Sequence, residues 1–386
     1  MNQQERFRCT IVRGGTSKGV FMMRNELPQD PKLRDKVILA IYGTPDIRQI
    51  DGLGGADFLT SKFAMIGPPT RPDADVDYTF GQVGILLPKV DYTTTCGNIS
   101  AGVGPFAIHH GLVDIKEPIT NVTIHLTNNN RILKAEIPIV DGELAVEGDC
   151  KIDGCPGTGA KIRIDWSDTA GIVTQKILPT GNAKDVLSVE GIGDVTVSIV
   201  DAGNPVVFLH AERLGFKGTE SPFEIEEDKG LLDKLERIRS VAAQRIGFVK
   251  DWKNGTKDSQ FLPFIAMVNS ASDFIDYTTG KTVGAESCDV MSRLLFNQKM
   301  HKTYPGTGTI STGTAAQIPG TVVNELLKES AKKKKEVRIG HPAGVITIEV
   351  DAGIENNKPF LKKAVIIRTA RIIMDGYVYV RKSLMQ

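Results

Sequence analysis

The stretch TTTCGNISAGVGPFA, residues 93–107, decides the fold because its centre returns much later in the chain. GNISAG (97–102) matches GTISTG (308–313) at both glycines, the isoleucine and the serine. Small and apolar residues follow both copies: VGPFAI after the first and TAAQI after the second. A weaker echo, in the same order, links TSKGVFM (16–22) with GNPVVFL (203–209). Two echoes separated by about half the chain predict a duplicated architecture.

The chain length agrees with this duplication. At about 150 residues per domain, a chain of 386 residues predicts two domains. We expect an N-terminal domain over residues 1–185 and a C-terminal domain over residues 186–386, with the last strand as a candidate to return to the first domain. The boundary is placed around the segment TGNAKDVLS.

Strand signals dominate the sequence, since short Val- and Ile-rich runs bounded by Gly, Asn, Asp and Pro are typical of strands. These runs are FRCTIV, VTIHL, RILKAEIPIV, VTVSIV, VVFLHA, FIAMV, GVITIEV and KKAVIIRTARIIMDGYVYV. Helical spacing of apolar residues is clearest over residues 231–247, and a second helix is predicted over residues 320–335. Strands and helices do not alternate strictly. The pattern therefore favours an α+β fold with mostly antiparallel sheets over a doubly wound parallel sheet.

Composition and charge exclude several classes of protein. The chain is 41% hydrophobic and 24% charged, and its 47 basic residues nearly balance its 46 acidic residues. At the level of the whole chain this balance predicts neither a nucleic-acid nor a membrane partner. The longest apolar runs, such as FLPFIAMV, are far shorter than the roughly 18 residues of a membrane span. The opening MNQQERFRCTIV has no apolar signal region, so we expect a cytoplasmic protein.

Cys96 is the first candidate for chemistry. Gly97 and Asn98 are turn and cap residues, with Asn98 as the expected N-cap, so a helix is predicted from about Ile99 to His110. Pro105 predicts a kink or a late start. A cysteine at a helix N-terminus lies near free N–H groups that stabilise a thiolate or bind a carboxylate. The alternative is that Cys96 is a small buried hydrophobic residue.

The second copy has Thr307 where the first has Cys96, so its helix can bind an anion but offers no thiol. A partner for Cys96 in proton transfer must therefore come from elsewhere. Lys62, in DGLGGADFLTSK (51–62), is the candidate, because a lysine beside Gly-rich backbone suits a carboxylate clamp or a general base. The alternative is a solvated surface charge. Neither a P-loop nor a dinucleotide-binding fingerprint is present.

Other polar residues are weaker candidates. Asn204, in DAGNPVVF, is a turn residue or a ligand for a carboxylate. His301 precedes the second helix motif and is a candidate ligand-binding histidine. The five cysteines are expected to be free thiols, and the pair in CKIDGC lacks a second pair of ligands for zinc. No metal site is predicted.

Eight segments together resemble the family of 2-methylaconitate cis-trans isomerases and 3-methylitaconate Δ-isomerases. They are RGGTSKGVF, GLGGADFLTSK, DYTFGQVGI, TTCGNISAGVGPFA, DAGNPVVF, GTISTGTAAQIPGT, GHPAGVI and RTARIIMDGYVYV, and they span residues 13–380. The resemblance implies the diaminopimelate-epimerase-like fold, in which two similar domains each wrap a mostly antiparallel sheet around a central helix. It also implies an active site in the cleft between the two domains.

The resemblance further implies site residues. Lys62 and Cys96 fall on the family's proton-transfer residues. The segments that contact substrate contain Ser17, Gly97, Asn98, Asn204, His301, Gly308 and Thr309. The wider superfamily has a second cysteine near Thr307, and its loss here argues against racemase activity.

The implied reaction is a cofactor-independent allylic isomerisation of a small dicarboxylate, 3-methylitaconate to 2,3-dimethylmaleate. A 2-methylaconitate isomerase, which acts on a tricarboxylate, is the near alternative. A cofactor-free amino-acid racemase would need Cys288 or Cys155 as a second thiol. A non-enzymatic dicarboxylate-binding protein is a further alternative. The fold's exposed sheet edges favour a homo-oligomer.

Overall fold

The structure is a computed structural model that describes residues 3–385 and contains two compact units. The first unit comprises Met1–Ile164 and Ile367–Gln386, and the second comprises Asp165–Ile366. A domain is a part that could fold alone. The two units are defined by contacts and not by independent folding, so the domain boundary expected near residue 185 stays a prediction.

Strands make up most of the regular structure, as the sequence predicts. They are β1 Gln4–Gly14, β2 Ser17–Met23, β3 Lys62–Gly67, β4 Val76–Val83, β5 Val90–Asp91, β6 Ile119–Leu126, β7 Arg131–Val140, β8 Glu143–Leu144, β9 Cys150–Lys151, β10 Thr158–Gly159, β11 Ile162–Asp165, β12 Asp185–Val189, β13 Gly193–Ala202, β14 Asn204–His210, β15 Phe264–Ser270, β16 Phe274–Ile275, β17 Thr282–Val283, β18 Val290–Phe296, β19 Lys299–Met300, β20 Glu336–His341, β21 Gly344–Glu355, β22 Lys358–Arg368 and β23 Ala370–Arg381. All eight strand-like runs named above lie on these strands.

Helices are fewer. They are α1 Pro31–Tyr42, α2 Gly97–Ser100, α3 Val103–His109, α4 Pro222–Glu227, α5 Lys229–Arg245, α6 Gly255–Asp258, α7 Gly306–Gln317, α8 Val322–Leu326 and α9 Glu329–Lys332. The helix predicted over residues 231–247 is confirmed as α5. The single helix predicted over residues 320–335 is wrong, because Leu327 and Lys328 are extended and divide it into α8 and α9. Within residues 3–385, no helix is long and apolar enough to span a membrane.

The pairing of strands repeats between the two units. In the first unit β1–β2 is antiparallel, β2–β3 parallel, β3–β4 antiparallel, β4–β6 parallel and β6–β7 antiparallel. In the second unit β13–β14, β14–β15, β15–β18, β18–β20 and β20–β21 follow the same five orientations in the same order. Helices α2 and α3 precede β6, and α7 occupies the corresponding place before β20. The predicted α+β fold and its duplication are confirmed.

Helix α7 explains why such a segment is built from poor helix formers. Its residues from Gly306 to Ala316 are all buried, and it packs on β13, β14, β20 and β21. A Cβ atom on Gly308 would lie 2.7 Å from Leu294 Cδ1, and one on Gly313 would lie 2.7 Å from Ile348 Cγ2. Small residues therefore let the sheet approach the helix closely, and packing replaces helix propensity as the source of stability.

Candidate active site

Lys62 is the first residue of β3 and lies opposite Gln82 of β4. Its side chain is buried, with 6% of the residue exposed, so the alternative of a solvated surface charge is wrong. Nζ donates to Oε1 of Gln82 at 2.9 Å and lies 5.3 Å from the centre of the Phe80 ring. The tyrosine hydroxyl of Tyr42 donates to the Lys62 carbonyl, which fixes the backbone beneath the side chain.

Cys96 is buried and is itself the N-cap of α2, with φ −132° and ψ 105°. The expectation that Asn98 caps this helix is wrong. Ser100 closes the turn, because its N–H and its hydroxyl both donate to the Cys96 carbonyl, at 3.1 and 2.8 Å. The helix begins at Gly97 rather than Ile99, and it is interrupted after Ser100 rather than kinked at Pro105.

This interruption changes the electrostatics expected at Cys96. A helix dipole grows from peptide units aligned over several turns. Helix α2 has only four residues before the break, and α3 starts again at Val103. The partial positive charge that α2 offers to Cys96 is therefore smaller than the sequence suggested.

Glycines bring the strand of Lys62 and the helix of Cys96 together. A Cβ atom on Gly14 would lie 2.4 Å from the Asn98 carbonyl oxygen, so β1 touches the backbone of α2. A Cβ atom on Gly19 would lie 2.3 Å from the Lys62 carbonyl oxygen and 3.2 Å from Ile99 Cδ1. Gly19 thus lies between β3 and α2, and side chains at these positions would push the two elements apart.

Asn98 holds the turn between β1 and β2 instead of capping its own helix. Its Oδ1 accepts from Arg368 Nε at 2.9 Å and from the Thr16 N–H at 3.5 Å. Gly15 has φ +52°, and a Cβ atom there would lie 2.3 Å from Asn98 Oδ1. The amide therefore ties the TSKGVF turn, α2 and the end of β22 into one network.

Arg368 brings a buried positive charge to that network. It is 2% exposed, and its Nη1 donates to the Ile367 carbonyl at 2.7 Å. Burial lowers its pKa to about 10, so it remains charged at neutral pH, and negative charge on Cys96 or Cys150 acts in the opposite direction. The groups whose negative charge would raise the pKa of this buried guanidinium are the thiols of Cys96 and Cys150.

Ser17 has a buried hydroxyl group without a hydrogen-bond partner among the described residues. Its Oγ is buried, and it makes no hydrogen bond to any of residues 3–385. Buried hydroxyl groups are normally paired. Ser17 is also two residues before Gly19, which pairs with Lys62. The hydroxyl is therefore available for a ligand close to Lys62.

The second unit repeats this geometry with different chemistry. Asn204 is the counterpart of Ser17, and its Nδ2 donates to Thr307 Oγ1 at 2.8 Å, where Thr307 replaces Cys96. Gly19 pairs with Lys62 as Val206 pairs with Phe264, so Phe264 replaces Lys62. Neither candidate for proton transfer is duplicated.

The start of α7 also differs from that of α2. Pro305 is its N-cap, so the helix begins at Gly306 and Thr307 lies within its first turn. Gly308 follows, and the Thr309 hydroxyl donates back to the Pro305 carbonyl at 3.0 Å. The hydroxyl of Thr309 is therefore bonded within its own helix. The groups of this turn that suit an anion are the backbone N–H groups of the helix N-terminus.

His301 is nearly buried at the start of the segment that leads into α7. Its Nδ1 accepts from the Thr303 N–H at 3.3 Å. The backbone N–H of His301 donates to the Leu294 carbonyl at 2.9 Å and continues the pairing of β18. The histidine is thus held in one orientation by its own loop.

Cys288 and Cys155, the two candidates for a second thiol, have surroundings unlike that of Cys96. All five cysteines are free. Cys288 packs with Phe274 and Met291 in an apolar cluster, and burial raises its pKa. Cys155 lies in the turn between β9 and β10 of the first unit. Burial therefore disfavours the thiolate form of Cys288, one of the two candidates for the second thiol of a racemase.

One group of side chains has the composition of a metal site. His109, His110 and Asp375 place ligand atoms within 4.8 Å of one another, within residues 3–385. Asp375 also accepts from Arg8 at 3.0 Å and from Thr10 at 3.1 Å. Burial raises the pKa of Asp375, but the hydrogen bonds from Arg8, His109 and Thr10 outweigh it and lower the value to about 2. The guanidinium of Arg8 already occupies the place of a cation.

Two residues of this site escaped sequence reasoning. Arg368 and Gln82 lie in RTARIIMDGYVYV and DYTFGQVGI, two of the segments that carry the resemblance, but no role was predicted for either residue. The available signal was a polar residue at an inward position of each strand, since such residues are buried only when they have a partner or a ligand. Ser17, Lys62, Cys96, Gly97 and Asn98 lie in the first unit, whereas Asn204, His301, Gly308 and Thr309 lie in the second.

Known proteins resemble this chain over its whole length. It is 53% identical over 383 residues to the 3-methylitaconate isomerase of Eubacterium barkeri, covering 99% of both chains. It is 38% identical over 387 residues to the 2-methyl-aconitate isomerase of Shewanella oneidensis, covering 97% of this chain and 96% of that one.

Solved structures also resemble this chain over nearly its whole length. A crystal structure of methylitaconate-delta-isomerase matches with a TM-score of 0.83 and 52% identity, covering 100% of this chain and 98% of that one. A hydroxyproline epimerase from Agrobacterium vitis matches with a TM-score of 0.57 and 12% identity, covering 97% and 92%, and this match concerns the fold alone. The PrpF protein family model matches residues 4–381. With nearly every residue inside that match and relatives this similar, the chain belongs to the PrpF family.

Proposed function

We propose that this protein is an isomerase that converts 3-methylitaconate to 2,3-dimethylmaleate. The observation that carries the proposal is the 53% identity to a 3-methylitaconate isomerase over 99% of both chains. The identity to a 2-methyl-aconitate isomerase is lower, at 38%. A dicarboxylate is therefore the better candidate substrate than a tricarboxylate.

The reaction moves one proton and one double bond. The C–H bond next to one carboxylate breaks, and its electron pair joins the neighbouring C=C bond in an extended dienolate. A new C–H bond then forms at the former methylene carbon, which becomes a methyl group. The atoms balance without an oxidant or a reductant, and the barrier arises from carbanion charge that accumulates beside a carboxylate.

We assign the two proton transfers to Lys62 and Cys96. One group removes the proton and one delivers it, as in general acid–base catalysis. Both side chains are buried in the first unit, and Gly19 lies between the Lys62 carbonyl and the Ile99 side chain of α2. Neither residue has a counterpart of the same type in the second unit. This asymmetry suits a proton shift between two carbons of one substrate.

We assign the stabilisation of negative charge to Arg368 and Ser17. A fixed positive charge in a buried site stabilises a developing anion more than it would in water. Arg368 offers such a charge, and the unpaired Ser17 hydroxyl offers a hydrogen bond. Removing one donor of this kind typically costs about 10²-fold to 10³-fold in rate. The substrate contacts expected of Gly97, Asn98, Asn204, His301, Gly308 and Thr309 stay predictions, as do the cytoplasmic location and the homo-oligomer.

One experiment separates this proposal from its alternatives. The protein is incubated in deuterated water with 3-methylitaconate, and in parallel with 2-methylaconitate, and the products are followed by NMR. Formation of 2,3-dimethylmaleate at the higher kcat/KM supports the proposal. Binding of 3-methylitaconate without any shift of its double bond would overturn it and favour a binding protein.

Two variants test the assignment of roles. Lys62→Ala and Cys96→Ser should each lower kcat by orders of magnitude, because each removes a proton carrier. Cys155→Ser is the matched control, since it removes a thiol from a turn and should leave kcat unchanged. Near wild-type turnover in both active-site variants would show that the site lies elsewhere.

A further inference from the structure

The amide of Gln82 has only one orientation in which all of its hydrogen bonds can form. Its Nε2 donates to the carbonyl oxygens of Ser61 at 3.0 Å and Phe58 at 3.2 Å, and its Oε1 accepts from Lys62 Nζ at 2.9 Å. A flipped amide would place its oxygen against two carbonyl oxygens and its NH₂ group against Nζ. The two backbone carbonyls therefore force the Gln82 oxygen to face Lys62.

The position of Gln82 is as restricted as its orientation. It is 1% exposed and lies directly opposite Lys62 in the antiparallel pair of β3 and β4. The carbonyls that hold it belong to the segment just before β3, so amide and lysine are fixed to the same stretch of backbone. The oxygen thus sets where Nζ lies.

The chemistry of this partner matters as much as its place. A carboxylate at this distance would form an ion pair and hold Lys62 as an ammonium group. An amide oxygen accepts a hydrogen bond from Nζ but carries no charge. It can orient the lysine while leaving it able to lose its proton or to meet a substrate carboxylate.

We propose that Gln82 is a positioning residue for Lys62. Its amide oxygen aims Nζ of Lys62 at the reacting substrate through a neutral hydrogen bond. This inference rests on the proposed function, since it assumes that Lys62 takes part in the isomerisation. Gln82 lies in DYTFGQVGI, one of the eight segments that carry the resemblance, but no role was predicted for it from the sequence.

Gln82→Met tests the proposal, because methionine has a similar length and volume but offers no amide oxygen. The matched control is Asn128→Leu. Asn128 also makes three hydrogen bonds through its amide, to Phe80 N–H and to the carbonyls of Phe80 and Tyr92, and none to Lys62. Both variants should lose similar thermal stability.

Their kinetics should differ. A catalytic group misplaced by about 1 Å can cost 10²-fold in rate, so we expect a kcat about 10²-fold lower in Gln82→Met and nearly unchanged in Asn128→Leu. In Gln82→Met, labelling of Lys62 by trinitrobenzenesulfonate, followed by mass spectrometry, should become faster, because Nζ is no longer held by the amide oxygen.

Equal losses of kcat in the two variants, with unchanged labelling of Lys62, would show that Gln82 is only a structural residue and would overturn the inference. If Gln82→Met does not fold, Gln82→Asn carries the same test, since it withdraws the acceptor by one methylene group. Wild-type turnover in Lys62→Ala would be a failure of the proposed function instead, so the two failures are distinguishable.

Discussion

Gly14→Ala offers the sharpest test of how the backbone positions Cys96. The new Cβ atom would lie 2.4 Å from the Asn98 carbonyl oxygen and 3.2 Å from Ile99 Cα, both backbone groups of α2. Ordinary contacts of a Cβ atom begin near 3.4 Å. Because neither contact is the end of a flexible side chain, α2 must move by about 1 Å, which carries Cys96 with it.

The magnitudes follow from that displacement. Overpacking of this kind costs roughly 1–3 kcal/mol in the free energy of unfolding. A displacement of about 1 Å at a catalytic group can lower kcat by about 10²-fold, equivalent to ~2.7 kcal/mol in the activation free energy. We therefore expect a folded protein with a lower melting temperature and a kcat reduced far more than its KM is raised.

The assay is the NMR-monitored isomerisation of 3-methylitaconate, with thermal unfolding of the same samples. Gly230→Ala is the matched control, because its new Cβ atom would meet only Asp228 Oδ1, at an ordinary 3.4 Å. It should keep both kcat and stability. If Gly14→Ala unfolds at a lower temperature yet turns over like the wild type, the position of α2 does not control the chemistry and the reasoning is refuted.

Three further predictions concern other residues. Arg368→Met should lower kcat by at least tenfold and slow the alkylation of Cys96 by iodoacetamide, and the free energy of unfolding should stay equal or rise because a desolvated charge is removed. A loss of stability with unchanged alkylation would contradict this prediction. Asp375→Asn should destabilise the protein near neutral pH but progressively less in urea titrations from pH 4 to pH 2, because the lowered pKa of Asp375 contributes stability that is lost as pH falls through that range. A difference in unfolding free energy between variant and wild type that does not change with pH would contradict this prediction. Asn204→Ala should cost about 1–3 kcal/mol in unfolding free energy by leaving the buried Thr307 hydroxyl without its amide donor, and a cost near zero in the same titrations would show that this bond is dispensable.

Much of the fold was readable from local patterns. The strand runs are confirmed because alternating and continuous Val- and Ile-rich segments have few other stable arrangements. Helix α1 was missed although its signals are present: the Asp30 side chain accepts from Leu33 N–H, Pro31 opens the helix, and Gly43 ends it with φ 69°. Those signals are confined to a few residues at the two ends of the helix. Of the two expectations at Pro105, the late start is confirmed, because α3 begins at Val103 with Pro105 in its first turn, and the kink is wrong.

The candidate site divides in a similar way. The sequence by itself determined the duplicated small-residue helices, the single cysteine before the first of them, and the absence of a thiol at Thr307, because each is a matter of residue identity at repeated positions. Only the tertiary structure decided that Arg368 joins Asn98, that the Ser17 hydroxyl is buried without a partner, and that Gln82 faces Lys62. These contacts join residues as far apart as 98 and 368. Their geometry depends on strand register and on glycines that let backbones touch, which no local pattern encodes.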